Sequence, residues 1–228
     1  MKKSKLLLGF ILPIVFISLL VISCKKDKQE NVTIGGDTDY AENKVGAKST
    51  GSIYMNGTSV SNQVQTTVVE NSSGIVSVQF TGKIPSQYTS LIENFGNKYY
   101  KDRYTQYKPK YVDANGNVNV TIKLINSSEG VAYVNSTGKQ FVVMKYDANV
   151  GDKWSYTKKN GHDVNFEVKQ KSTTDDYAYG FMNIKVVKIE QTVDEPGFTK
   201  IVYIGNHKFG LVGIEINVED GTVVKLVR

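Results

Sequence analysis

The polar and apolar positions change texture along this chain. Lys2, Lys3 and Lys5 precede an almost unbroken apolar run from Leu6 to Ile22, which ends at Ser23-Cys24. From Lys25 to about Gly51 no apolar period survives: Lys25 to Glu30 is charged, and Gly35-Gly36-Asp37-Thr38-Asp39 is small and polar. Such a stretch buries too little apolar surface to offset its ordering entropy, so residues 24–50 read as a flexible tether. From Ser52 onward, short apolar runs alternate with turn residues, and residues 51–228 read as one domain.

Within that domain the period is mostly two. Ile53-Tyr54-Met55 meets Asn56-Gly57, a strong hairpin signal, and Val64 to Val69 faces Ile75 to Phe80 across Asn71-Ser72-Ser73-Gly74. Val76, Val78 and Phe80 alternate with Ser77, Gln79 and Thr81, as a strand buried on one face does. The period then lengthens. Tyr88, Leu91, Ile92, Phe95 and Tyr99 recur at helical steps, which predicts a helix over about Gln87 to Phe95, capped by Ser86 and stopped by Gly96. A further turn or two is expected through Tyr99 to Tyr107, before Pro109. Strand texture returns at Val118 and holds through Val131 to Val134, Phe141 to Met144, Val164 to Val168, Phe181 to Ile189, Lys200 to Ile204, Phe209 to Val218 and Thr222 to Val227. The expected fold is mainly β: an antiparallel sandwich or half-barrel with one short helical insertion.

The N-terminal pattern adds an address. A basic head, an apolar middle and a small residue before the only cysteine resemble a bacterial lipoprotein signal, residues 1–23, in which Cys24 becomes the lipidated first residue. A spanning anchor needs roughly 20 apolar residues, and this run is shorter and contains Gly9 and Pro13. Removing three lysines with the signal lowers the net charge from +6 to +3, too mild for a nucleic-acid footprint. With Cys24 committed to lipid, no thiol remains for a disulfide. The resemblance implies export and a lipid anchor in the outer membrane, on its periplasmic or cell-surface face. The charged residues after Cys24 partly resemble the stretch that marks surface export in lipoproteins of the Bacteroidota.

Several later segments, Lys145 to Trp154, Ser172 to Tyr177, Asn206 to Val212 and Glu219-Asp220-Gly221, resemble an uncharacterised family of Bacteroidota lipoproteins. That resemblance implies location and no chemistry. Trp154, the single tryptophan, enters a strand after the Gly151-Asp152 turn and reads as a core anchor.

Candidate chemistry is sparse. The two histidines, His162 and His207, sit in turn-like contexts without partners at metal-ligand spacing, so no metal site or cofactor is expected. Asp113-Ala114-Asn115-Gly116-Asn117 begins like a calcium loop, but its twelfth position is Leu124 and a hairpin turn is expected. Asp175-Asp176 and Asp194-Glu195 read as solvated turns, and no nucleophile elbow or phosphate loop occurs, so no catalytic residues and no enzyme activity are expected. The one concentration is Tyr99, Tyr100, Tyr104, Tyr107 and Tyr111 interleaved with lysines and Arg103. Tyr99 is expected in the core. Tyr100, Arg103, Tyr104 and Tyr107 form the candidate surface for a glycan or an envelope protein. The function expected first is a non-catalytic binding or structural module of the envelope. The rivals are a lipid or lipoprotein carrier on a half-open barrel, which a deep apolar cavity favours, and a hydrolase with an acidic cleft.

Overall fold

The computed structural model describes residues 32–157, 163–192 and 195–228, and for 61–63, 91–92 and 101–109 the backbone alone. Cys24, His162 and Asp194 lie outside the described residues, as do the side chains of Arg103, Tyr104 and Tyr107. The strands are β1 (Lys48–Met55), β2 (Thr58–Ser72), β3 (Ile75–Lys83), β4 (Asn117–Asn126), β5 (Gly130–Val134), β6 (Gln140–Lys145), β7 (Lys153–Thr157), β8 (Asp163–Lys171), β9 (Tyr177–Tyr179), β10 (Met182–Ile184), β11 (Val187–Thr192), β12 (Phe198–Asn206), β13 (Gly210–Val218) and β14 (Val223–Val227). One sheet of 12 strands runs in the order β6-β5-β4-β3-β2-β1-β14-β13-β12-β11-β8-β7, and β9 with β10 forms a separate hairpin. Every pairing is antiparallel, as short connections allow.

The expected hairpins are present. Asn56 and Gly57 both take positive φ, 48° and 79°, which gives a two-residue turn the twist of its flanking strands. One expected strand divides: Phe181 to Ile189 turns at Gly180 (φ 57°), leaving Phe181 fully exposed between β9 and β10, and β11 starts only at Val187.

The sheet curls until its two ends meet, giving a nearly closed barrel. β6 and β7 are the edges of the hydrogen-bonded order, and side chains bridge them. The Trp154 indole Nε1 on β7 donates to the Val142 carbonyl on β6 at 2.8 Å, and the Phe141 and Tyr156 rings meet edge-on at 4.9 Å. Gly205 of β12 lies under β6, where a Cβ would meet Met144 Sδ and Cε, so a larger residue there has to displace the end of that side chain. β5 pairs with β4 only over Lys123–Asn126, so the sheet is widest open beside the first half of β4.

A 3-10 turn, Ser86–Tyr88, leads from β3 into the helix α1 (Thr89–Tyr111). The expected stop at Gly96 does not occur. Gly96 is buried and the helix passes through it, because docking Phe95 and Tyr100 outweighs the roughly 1 kcal/mol helix cost of a glycine. Ser86 makes no side-chain cap; Pro85 occupies the position before the turn. The break falls instead at Tyr100 (φ −136°, ψ 21°). α1 docks on the β11–β12 turn, where Gly197 (φ 91°) leaves room for the Phe95 and Tyr99 rings and Phe95 meets Phe198 at 5.3 Å.

The expected tether is corrected from Val32 onward. Ile34 is buried with Ile125, Ala132, Val134 and Val142, on the side of the sheet away from the aromatic core. Backbone amides of Ile34, Gly35 and Asp37 donate to Gln140, Glu129 and Ser128 side chains, and Lys48 already begins β1. The segment holds by hydrogen bonds and by Ile34 and Val32, which periodicity does not reveal. The packed body thus starts by residue 32 and not at residue 51.

Candidate functional site

The barrel interior is unevenly filled. Towards β6, β7, β8 and β12 it is packed with rings: Trp154 stacks on Phe166 at 5.5 Å, and Tyr156, Phe141 and Tyr203 close around them. β1, β2, β4 and β14 put no aromatic ring into their share of the interior. β2 supplies Val64, Thr66 and Val68; β4 supplies Val118, Val120, Ile122 and Leu124; β1 supplies Ser49, Gly51 and Ile53. These small and β-branched side chains are too short to reach across, and a cavity of about 480 Å³ remains. That volume lies within the ~300–1,000 Å³ range of ligand sites. Val78, Ile122, Leu124 and Leu226 line it and stay only partly buried, although they face inward.

The ends of the cavity differ in chemistry. At one end, where α1 leaves β3, it is bounded by Thr81, Gly82 and Lys83. At the other, Asn43 and Asn126 join the N-terminal segment to β4. The Asn43 Nδ2 donates to the Thr38 and Asn126 carbonyls, each at 2.8 Å, and Asn126 Nδ2 donates to Asn43 Oδ1 at 3.2 Å. Arg228, one residue beyond β14, follows Val224 and Leu226 at two-residue steps, and all three line the cavity. Its Nη1 donates to the Phe209 carbonyl at 2.9 Å, while its Nε is buried without a partner. Tyr203 also lines the cavity, but its hydroxyl is committed to Gln191 Oε1 at 2.7 Å, and burial pushes the phenol well above its ordinary pKa.

The sequence candidates are distributed otherwise. Tyr100, expected on an exposed binding surface, is buried, and its hydroxyl donates to the Pro196 carbonyl at 2.6 Å. Tyr99, expected in the core, is partly buried against it beside Phe95 at 4.8 Å, and its hydroxyl accepts a 2.8 Å hydrogen bond from Lys98. The helix breaks at Tyr100, whose ring packs near Phe95 and Phe198 at 6.1 and 6.3 Å. Trp154 is an anchor whose ring is stacked and whose N–H is satisfied. Asp113 accepts the amides of Asn115 and Asn117 and the Asn117 side chain, which lowers its pKa and makes the segment a hairpin turn. Asp175, Asp176 and His207 are exposed, and Asp176 takes a hydrogen bond from Ser172. Among the described residues no three of His, Cys, Asp and Glu gather to hold a metal.

Sequence reading missed the cavity; the usable signal was the run of small and β-branched residues Val64, Thr66 and Val68 on β2, which leaves that wall short of atoms.

No family model and no curated protein matches this chain. Among solved structures, it is similar to a Bacteroides fragilis protein with a YmcC-like fold, proposed to be exported, at 11% identity and a TM-score of 0.43, over 81% of this chain and 94% of that one. It is also similar to a proposed lipoprotein of Parabacteroides distasonis, at 11% identity and a TM-score of 0.40, over 81% of this chain and 94% of that one.

Proposed function

We propose that this chain is an exported lipoprotein, anchored to the outer membrane through Cys24, whose barrel binds the acyl chain of a lipid without transforming it. One observation carries the reading: a 480 Å³ cavity walled by β1 to β4, β13 and β14, in a barrel whose other side is filled. An acyl chain entering it gains about 0.8 kcal/mol per buried methylene. A glycan would find few partners, because valines, isoleucines and leucines dominate the walls between the two ends. Among the described residues lining the cavity, Glu42 is the single carboxylate, which favours binding over hydrolysis by an acidic pair. Anchoring by Cys24 rests on the sequence: a basic head, an apolar run and the sole cysteine.

Cells expressing the protein and fed a fatty acid bearing a diazirine and an alkyne test both halves. Label present before irradiation is expected on Cys24 and absent from Cys24→Ala. Label added by irradiation is expected on peptides from β2, β3 and β4. Irradiation-dependent label confined to residues 24–31 contradicts the cavity reading.

A further inference from the structure

We propose that the Asn43–Asn126 end of the barrel rests on the lipid bilayer, with Phe181 and Met182 at the β9–β10 tip entering the headgroup region and Val45, Val69 and Val150 meeting its surface. The inference rests on the Cys24 anchor read above and adds which face of the body meets the membrane.

The exposed large apolar side chains among the described residues are Val45, Val69, Val150, Phe181 and Met182. All five lie towards one end. Val45 precedes Gly46, whose amide donates to the Val68 carbonyl beside Val69 at 2.8 Å, and Asn71 Nδ2 donates to the Asn43 carbonyl at 2.9 Å. Val150 lies in the β6–β7 connection, where the Tyr146 amide donates to the Glu129 carbonyl of the β4–β5 turn, just past Asn126. Tyr179 of β9 meets Phe209 of the β12–β13 turn at 5.0 Å, and a Cβ on the next residue, Gly210, would touch the Asn126 side chain. The opposite end, with α1 and the Asn56-Gly57 and β11–β12 turns, has no such side chain among the described residues.

The β9–β10 hairpin has a fixed base and a bare tip. Ile184 is buried with Val186, Ile204 and Val212, and Tyr177 and Tyr179 pack on that cluster. Gly180 (φ 57°) turns the chain, and Phe181 and Met182 follow it into solvent. Folding buries neither tip residue, so their apolar surface is left for another apolar phase. The five side chains are separate points on a rim, which suits a flat, deformable lipid surface better than one protein pocket. The length of chain outside the described body favours lipid as well. Cys24 stands eight residues before Val32, which holds the body within about 29 Å of its anchor at ~3.6 Å per residue. From Val32 the segment runs to this same end, where the Gly35 and Asp37 amides donate to Glu129 and Ser128. Acids and lysines are interspersed here, Asp175 and Asp176 with Lys185 and Lys208, so apolar tips and not net charge make the contact.

The full-length protein is reconstituted in nanodiscs of zwitterionic phosphatidylcholine, some carrying nitroxide-labelled lipid. With Cys24 acylated, a bimane fluorophore is placed on Asn183→Cys, beside the tip, or on Ala114→Cys, at the opposite end; both positions are exposed. Bimane at Asn183→Cys is expected to be quenched by the nitroxide lipid, and bimane at Ala114→Cys is not. Adding Phe181→Ser and Met182→Ser to Asn183→Cys is expected to lower the ratio of docked to undocked protein roughly tenfold, the size of one lost apolar side-chain burial, while the protein stays in the discs. Retained protein with Asn183→Cys unquenched, or quenched no more than Ala114→Cys, overturns the inference and leaves this end to a protein partner. Undiminished quenching in the double-serine variant overturns the role of the tip. Loss of the unsubstituted protein from the discs removes the anchor reading and the inference with it.

Discussion

Trp154 shows how one side chain substitutes for a missing ladder. The edge strands β6 and β7 are not paired by backbone hydrogen bonds, and the indole N–H reaches the Val142 carbonyl across the gap. Trp154→Phe keeps the stack on Phe166 and deletes that bond, leaving a carbonyl unsatisfied. The expected cost is about 1–2 kcal/mol, a fall of roughly 4 °C in Tm, checked by calorimetry. An unchanged Tm would show that the seam is held by ring packing alone.

At the scale of elements, the strands were largely readable and the helix only partly so. Alternation at Val76, Val78 and Phe80, and turn chemistry at Asn56-Gly57, are local properties that survive folding. The phase of α1 beyond Gly96 is not local, because the break at Tyr100 is set by what the rings meet on the β11–β12 turn. Tyr100→Ala is therefore expected to cost about 3 kcal/mol, and Tyr99→Ala less than half of that, by denaturant unfolding. Equal losses would place both rings in the core. The N-terminal segment makes the same point. Ile34 sits among Ile125, Ala132, Val134 and Val142, in a stretch whose composition reads as a tether. Ile34→Ala is expected to lower stability by about 2 kcal/mol and to expose residues 32–47 to protease. An Ile34→Ala protein as stable and protease-resistant as the parent would mean that the segment is not part of the fold.

At the scale of the whole molecule, the curl of one sheet and the uneven distribution of rings produce the cavity together. Neither is visible in a strand taken alone. Large side chains on β6, β7, β8 and β12 fill one side, and valines, serines and glycines on β1, β2 and β4 leave the other short of atoms. An unfilled apolar volume lowers stability, since its lining forgoes contacts that packed neighbours would supply. The central claim is that this volume is kept for an acyl chain, and the most direct measurement fills it. Val78→Trp places an indole where Val78 lines the cavity, and the variant is compared with the parent by photolabelling of β2 to β4 and by Tm. The account predicts at least a tenfold loss of irradiation-dependent lipid label with Tm unchanged or raised. Undiminished labelling of those strands in a folded Val78→Trp protein would contradict it.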